Sequence, residues 1–327
     1  MKNYLNSKFS FSFFLNYFLL FGCGLMWGSF YFFNKIALES FSTAMIVAAG
    51  TSLGAMTLTL VFLISRERAE IEHSHRSLLR CFPDCIIIGF LELTAPALLI
   101  TWAEEKIPSS VTAILIGTVP LFALILEVLF VNKNTLSGNK IAGIFLGFLG
   151  IIVLARGGSS ASPLVGETTS ALPLLPLLAV LGAALCYPIS LLLIKIRLEP
   201  HLRPIRAAQG ILLGAVTTSL PLFLLITKPW TILSFHPLLS ASIALVLIGI
   251  FSQGLVYICY TRLIHRAGLS FASTCNYLTP LIGSILGIFF AGERLTLSLM
   301  EALLLILFSL WLSGRKSQIS PLLWHAS

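Results

Sequence analysis

The sequence predicts an all-α integral membrane protein whose ten transmembrane helices form two inverted-topology repeats of five. Hydrophobic residues make up 57% of the 327 residues and charged residues only 10%, whereas soluble domains carry about 25% charged residues. Ten stretches are apolar over the length of about 20 residues that a bilayer-spanning helix needs. Residues of the first half also recur in the second half at a constant offset of 160 positions, so that Lys35 and Glu39 match Lys195 and Glu199.

The apolar stretches define the predicted elements in chain order. Short turns separate most of them, and the longest loop inside a half is predicted at 66–81. The segment 157–172 is rich in Gly, Ser and Thr, which is typical of a linker. The sequence therefore predicts a first repeat at 1–156, a linker at 157–172 and a second repeat at 173–327. The ten predicted spans are 12–34, 41–64, 83–103, 109–131, 138–155, 173–195, 205–227, 237–260, 270–291 and 296–313.

The repeat is carried by residue types that rarely match by chance. Because five is an odd number, the second half must enter the membrane upside down relative to the first. An inverted repeat in a membrane chain indicates transport, in which two halves rock around a site near the membrane midplane. The matching pairs include Gly50 and Gly210, Gly54 and Gly214, Gly89 and Gly249, and Pro120 and Pro280.

The distribution of positive charge predicts the orientation. Most of the 21 Lys and Arg residues fall on the side that holds both termini, and cytoplasmic loops carry an excess of these residues. Both termini are therefore expected in the cytoplasm, with the chain as a multi-pass protein of a bacterial inner membrane. The same asymmetry explains the net charge of +8, so no nucleic acid is expected as a partner. The residues on the opposite side are Lys35, Lys106, Arg156, Lys228 and Arg294.

Several motifs together resemble the drug/metabolite transporter superfamily, in its ten-helix EamA-type branch. The first span carries Trp27-Gly28 and reaches Lys35 at its end, and the fourth and ninth spans carry the central prolines Pro120 and Pro280. The second half also has the family's Glu thirteen residues after that proline, as Glu293. The resemblance covers nearly the whole chain. It implies solute transport through a central cavity lined by the first, third, fourth, sixth, eighth and ninth helices.

The two halves depart from this pattern in different ways. Lys133 stands thirteen residues after Pro120, where the family has Glu, and Tyr187-Pro188 replaces the Trp-Gly pair in the second half. Glu127 of the first half matches Gly287 of the second. Contacts with the solute are therefore expected to be asymmetric.

Two carboxylates and several aromatic and polar side chains are the candidate solute ligands. Ionisable groups inside a bilayer are costly and usually face a cavity or a partner, which applies to Glu92 in the third span and Glu127 in the fourth. A proline frees a main-chain carbonyl one turn earlier, and aromatic walls suit a cationic ligand. A structural hydrogen bond or ordinary helix packing is the alternative for each of them. The candidate solute-binding residues are Trp27, Tyr31, Glu92, Pro120, Glu127, Tyr187, Gln253, Tyr257, Asn276, Tyr277 and Pro280.

These residues favour a secondary transporter that moves a small solute by alternating access. Buried carboxylates with aromatic walls favour a cationic or zwitterionic solute. The superfamily's solute classes then point to an amino acid or S-adenosylmethionine, with exchange for S-adenosylhomocysteine as one option for the latter. Coupling by exchange and coupling by protons both stay open. The alternatives are a multidrug or quaternary-amine exporter and, from another class, a membrane-embedded enzyme or a non-transporting scaffold.

No enzyme activity and no cofactor are expected. A membrane enzyme would need a nucleophile, a base or a metal cluster at one depth, and the six cysteines and six histidines do not form one by their spacing. The chain also lacks a P-loop signature. Gly143, Gly147 and Gly150 form a small-residue stripe on the fifth span, which allows close helix contact within the chain or in a homodimer.

Overall fold

A computed structural model describes residues 2–64, 71–131, 138–156, 172–198, 201–227 and 237–314. Within these residues the chain is helical, and it contains no strand. The linker predicted at 157–172 lies outside the described residues except for Leu172. The ten principal helices are α1 (Lys2–Ala37), α2 (Thr43–Ile64), α3 (Leu78–Glu104), α4 (Ser109–Phe130), α5 (Gly138–Arg156), α6 (Leu174–Leu198), α7 (Pro204–Ile226), α8 (Leu239–Ala267), α9 (Cys275–Phe290) and α10 (Leu297–Gly314).

The lengths of these helices match the predicted membrane spans. Eight of the described helices, α1 to α8, are long and apolar enough to cross a membrane, and α9 and α10 are shorter apolar helices. The large exposed side chains on their outer surfaces are mainly Leu, Ile and Phe, which suits contact with lipid tails. The chain is thus an all-helical membrane protein of ten helices, arranged as two inverted repeats of five.

Some helix ends differ from the predicted spans. α1 begins at Lys2 rather than at residue 12, and the helix that leads into α3 begins at Ile71, inside the predicted loop 66–81. Apolar content sets how much of a helix lies in the bilayer, but Glu, Arg and Leu also favour helix outside it. The apolar limits therefore underestimate the length of these helices.

Two bundles, each built from both halves, form the body of the protein. In the first bundle α1 packs against α8 and α9, and in the second bundle the equivalent helix α6 packs against α3 and α4. The bundles cross where α4 meets α9, because Gly117 lies against Pro280 and Gly283 lies against Ala113. This mixed packing means that each bundle depends on both repeats.

The repeated glycines lie in the seams between the halves. A Cβ atom added to Gly214 of α7 would overlap the main chain of Cys85 in α3, and one on Gly54 of α2 would lie 2.9 Å from the Cβ atom of Gln253 in α8. Side chains larger than hydrogen at these positions would push the helices apart, since membrane helices approach closely through small residues. The repeat in the sequence thus marks equivalent contacts between α2 and α8 and between α7 and α3.

The small-residue stripe of α5 is covered by α10 of the same chain. A Cβ atom on Gly143 would meet the main chain of Ser309, 2.9 Å away, and one on Gly150 would lie 3.0 Å from Ile306. Ser309 also donates a 2.6 Å hydrogen bond to the Gly143 carbonyl. The stripe was predicted to allow close helix contact within the chain or in a homodimer, and in this fold it makes the contact within the chain.

Candidate functional site

Two π-helical turns occupy equivalent positions in the two halves. One spans Phe90–Thr94 in α3 and the other Ile248–Leu255 in α8, at matching places in the 160-residue repeat. In α3, Pro96 has no N–H to donate to the carbonyl of Glu92, whereas the turn in α8 contains no proline and is followed by Val256. π-turns are frequent at functional sites, and the one in α3 presents the Glu92 side chain towards the second half.

Glu92 is the acidic group at which the two halves meet. The Ser190 hydroxyl of α6 donates a hydrogen bond to its Oε2 atom, and the Tyr257 phenol of α8 lies close enough to hydrogen-bond the same carboxyl. The three side chains come from α3, α6 and α8, so both bundles contribute. Among the described residues, two hydroxyl donors and no cation hold the Glu92 carboxyl, and such a carboxyl is suited to bind a cationic group.

Tyrosines surround this carboxyl and connect it to α1. Tyr187 lies near both Glu92 and Tyr257, and Tyr31 of α1 lies near Tyr187. Their rings are apolar faces that end in a hydroxyl, and such faces attract cations. The predicted residues Tyr31, Glu92, Tyr187 and Tyr257 therefore form one cluster, which we call the Glu92 cluster.

Trp27 lies on the same side of α1 and packs edge-on against Tyr260, with their ring centroids 5.0 Å apart. This contact places Trp27 beside α8, in the apolar cluster that includes Cys23 and Val256. The tryptophan thus forms the wall between α1 and α8.

The other predicted residues are placed at helix contacts. Pro280 is buried where α9 crosses α4, and Pro120 follows a break in α4 at 117–118, where the Thr118 hydroxyl bonds the carbonyl of Leu115 at 2.6 Å. Tyr277 donates a 3.0 Å hydrogen bond to the Leu310 carbonyl of α10. These residues shape the crossing of α4 and α9.

Gln253 is 4% exposed and packs against Gly50 and Gly54 of α2. Its Oε1 atom has no hydrogen-bond partner in the described part of the chain. Asn276 lies half-buried near the start of α9. Glu127 is the first residue of a π-turn at the end of α4, and no hydrogen bond found among the described residues joins it to the Glu92 cluster.

A second polar cluster lies where α1 and α3 end, and it joins these two helices. The Asn34 amide donates a 2.7 Å hydrogen bond to Oε2 of Glu104 and accepts one from the Thr101 hydroxyl at 3.1 Å. The Lys35 ammonium donates to the main-chain carbonyl of Glu104. Since α1 belongs to the first bundle and α3 to the second, these bonds join the two bundles at what we call the Lys35 end.

Glu293 joins the bundles at the same end by a different device. It lies between α9 and α10, and its Oε1 atom accepts hydrogen bonds from the Ser109 N–H at 2.6 Å and the Ser109 hydroxyl at 2.7 Å. Its Oε2 atom accepts from the Ser110 N–H at 2.9 Å. These groups are unpaired donors at the start of α4, where the helix dipole also favours a negative charge.

Sequence reasoning missed Asn34, Thr101 and Glu104. Glu104 lies just outside the predicted third span, at 83–103. The signal that could have found it is the spacing of Thr101 and Glu104, which places both on one face of a helix. Among the described residues, no group of three or more His, Cys, Asp or Glu side chains lies together to hold a metal ion.

The fold and the Glu92 cluster define a multi-pass membrane protein with an acidic site between two inverted repeats. The sequence profile of the EamA-like transporter family matches residues 14–156 and 174–315. The chain therefore belongs to the EamA-like transporter family, which confirms the predicted resemblance.

Named relatives agree with this family. The chain is 28% identical to the uncharacterized inner membrane transporter YedA of Escherichia coli strain K12, over 94% of this chain and 95% of the relative. It is 23% identical to the uncharacterized transporter YvbV of Bacillus subtilis strain 168, over 90% of each chain. A solved crystal structure matches with a TM-score of 0.62 at 15% identity, covering 90% of this chain and 95% of that one, which supports the fold alone.

Proposed function

We propose that this chain is a secondary transporter that moves a small cationic or zwitterionic solute by alternating access, with Glu92 as the group that recognises the solute's positive charge. The observation that carries the proposal is the convergence of Ser190 and Tyr257, from two further helices, on the Glu92 carboxyl. A charged group inside a bilayer costs free energy, so such groups are mostly found where they serve a function. Glu92 also lies between the two bundles whose relative movement would expose it to either side.

The solutes that fit best combine a positive charge with a body that stacks on tyrosine. S-adenosylmethionine has a sulfonium cation and a flat adenine, and basic or aromatic amino acids offer similar chemistry on a smaller scale. Trp27 and the rings of Tyr31 and Tyr187 supply the apolar walls for such a body. A quaternary amine would use the same charge and walls, and it is the competing solute class.

The proposed setting is a bacterial inner membrane with both termini in the cytoplasm. The excess of Lys and Arg on the terminal side supports this orientation, and the printed name of YedA places that relative in an inner membrane. The Lys35 end then faces the periplasm. Because polar contacts join the bundles there, the described arrangement corresponds to the state closed to the periplasm.

Transport needs only one copy of the chain in this proposal. The glycine stripe that would suit a homodimer is already covered by α10, and the Glu92 cluster is built from side chains of one chain. The proposal likewise includes no chemical conversion of the solute.

Uptake into membrane vesicles tests the proposal. Right-side-out and inverted vesicles carrying the chain are given radiolabelled S-adenosylmethionine, L-lysine or tetraethylammonium in separate experiments. At least one cation should accumulate above empty-vector vesicles, and Glu92→Gln should abolish that accumulation while keeping the protein in the membrane. Glu301→Gln is the matched control, because Glu301 is exposed on α10.

Each outcome separates the solute classes. Uptake of S-adenosylmethionine that S-adenosylhomocysteine competes for supports exchange of the sulfonium compound. Transport of tetraethylammonium alone favours the quaternary-amine exporter. Equal accumulation by wild type and Glu92→Gln would contradict the assigned role of Glu92.

A further inference from the structure

Glu104 is a buried carboxyl that the solute site does not use. Its side chain is 0% exposed, and its Oε2 atom accepts one hydrogen bond, from Asn34. Its Oε1 atom is buried and has no hydrogen-bond partner among the described residues. An ionised carboxylate in such a place loses its hydration and recovers only part of it from one neutral amide.

The surrounding charges supply only part of the missing compensation. On α1, the Lys35 ammonium donates to the main-chain carbonyl of Glu104, and its charge favours the ionised carboxyl. Among the described residues, however, no ion pair within 4.0 Å joins Lys35 to the Glu104 carboxyl. Tyr31 of α1 lies near Glu104 and presents a neutral phenol. Glu293, in the connection between α9 and α10, also faces Glu104 and adds a second negative charge.

The residues that follow Glu104 are occupied elsewhere. Glu105 and Lys106 form a partly exposed ion pair of 3.8 Å, and Glu105 also accepts a 2.6 Å hydrogen bond from Thr43 of α2. Thr101, one turn earlier on α3, directs its hydroxyl to Asn34. Every described charged group that faces Glu104 therefore leaves its carboxyl without an ionic partner.

We propose that Glu104 is a proton-binding site, which holds a proton while α1 and α3 are joined at the Lys35 end and releases it when they part. In the joined arrangement the carboxyl is neutral, and Asn34 bonds its carbonyl oxygen. When the two bundles separate at this end, Glu104 loses Asn34 and gains water. The ionised form then becomes the stable one, and the proton leaves to the side on which the Lys35 end opens.

This site deepens the proposed function and rests on it, because proton release at one end would couple solute movement to a proton gradient. Within the Glu92 cluster, Tyr187 lies near Glu92, and Tyr31 lies near both Tyr187 and Glu104. The solute site and the proton site are thus joined through α1 and α6. Opening at the Lys35 end would change both sites together, although their ligands differ.

Infrared spectroscopy of the purified protein tests protonation without any solute. The absorption of protonated carboxyl groups is compared between Glu92→Gln and the double variant Glu92→Gln/Glu104→Gln, so that Glu92 does not contribute. The difference spectrum should contain one protonated carboxyl at neutral pH that disappears as the pH is raised. Absence of this band from the difference spectrum would overturn the proposal. Glu104→Asp keeps a titratable group, and should keep a band if Glu104→Gln fails to fold.

Transport in proteoliposomes tests coupling separately. Radiolabelled S-adenosylmethionine is followed in two modes: exchange without a pH gradient, and accumulation driven by one. Glu104→Gln should lose gradient-driven accumulation down to the level of empty liposomes while exchange persists, and gradient-driven accumulation at the wild-type level would refute the coupling role. If the wild type moves S-adenosylmethionine in neither mode, the sulfonium proposal fails, and the infrared result alone decides the proton site.

Discussion

The two ends of the bundle interface differ although they derive from equivalent parts of the repeat. At the Lys35 end, Asn34 and Glu104 join the bundles by a buried hydrogen bond. The positions equivalent to them in the other half are Ile194 and Ile264. Ile194 packs in a cluster built from α2, α3, α6, α7 and α8, whereas Ile264 packs in a separate cluster with α1 and α9.

The same contrast applies to the contact made by Glu293. This carboxylate caps the start of α4, but its equivalent in the first half is Lys133, which lies outside the described residues. A positive charge is unfavourable at a helix N-terminus, so Lys133 cannot replace the carboxylate in that role. The symmetry of the fold thus gives two equivalent places where the bundles can close, and polar side chains strengthen closure at one of them.

The largest expected effect comes from linking the bundles covalently at one end. Cysteines at positions 34 and 101 replace side chains that hydrogen-bond each other at 3.1 Å, so an oxidant should link them readily. The linked protein should lose transport completely, and a reducing agent should restore it, because the Lys35 end could no longer open. Mass spectrometry measures the formation of the cross-link, and vesicle uptake measures the loss and recovery of transport.

A matched pair of cysteines at the other end of the bundle interface provides the comparison. Cysteines introduced as Ile194→Cys and Thr261→Cys occupy the positions equivalent to 34 and 101. Ile194 packs in the cluster around α7, whereas the Thr261 hydroxyl bonds the Tyr257 carbonyl of its own helix. They should link much more slowly than the pair at the Lys35 end. Equal rates at the two ends would show that the bundles are joined alike at both.

Removing the charge of Glu293 should weaken the Lys35 end without breaking the fold. The Ser109 and Ser110 N–H groups each donate to a different oxygen of the Glu293 carboxylate. Glu293→Gln keeps only one acceptor oxygen for them and removes the negative charge, a loss of about 1–2 kcal/mol. The rate of linking at positions 34 and 101 should fall, and the rate at positions 194 and 261 should not. Glu301→Gln serves as the control, and an unchanged rate in Glu293→Gln would count against the capping role.

A change in the seam between α3 and α7 should have a smaller effect, and only on the stability of the protein. Gly214→Ala places a methyl group against the main chain of Cys85 and should destabilise the protein by about 1–3 kcal/mol. Gly182→Ala is the control, since its Cβ atom would make only an ordinary contact of 3.7 Å with Leu99. Thermal unfolding in detergent compares the two, and equal melting temperatures would contradict the close contact of α3 and α7.

Much of the fold could be predicted from the sequence because its determinants are local. Apolar length identified the spans, and the recurrence of Gly54 and Gly214 marked seams that the structure places between the halves. The π-turn at Phe90–Thr94 was not predicted, because a proline such as Pro96 does not by itself specify whether a helix kinks, ends or widens.

The sites were predictable to different degrees. Glu92 stood out because it interrupts an apolar span, and the structure gathers Tyr187 and Tyr257 around it. Glu104 and Asn34 lie at span ends, where polar residues are common, and their contact joins residues distant in sequence. Only the three-dimensional packing of α1 against α3 reveals that this end is buried.

Equilibrium binding to the purified protein tests most directly whether Glu92 reads the charge of the solute. Wild type, Glu92→Gln and Glu301→Gln are each titrated with the radiolabelled cation that accumulates best in vesicles. Removing the carboxylate should weaken binding roughly 10- to 100-fold, as expected for a hydrogen bond to a charged group worth about 1.5–3 kcal/mol, while Glu301→Gln binds like the wild type. Equal affinity in wild type and Glu92→Gln would contradict the central claim and place the solute elsewhere between the bundles.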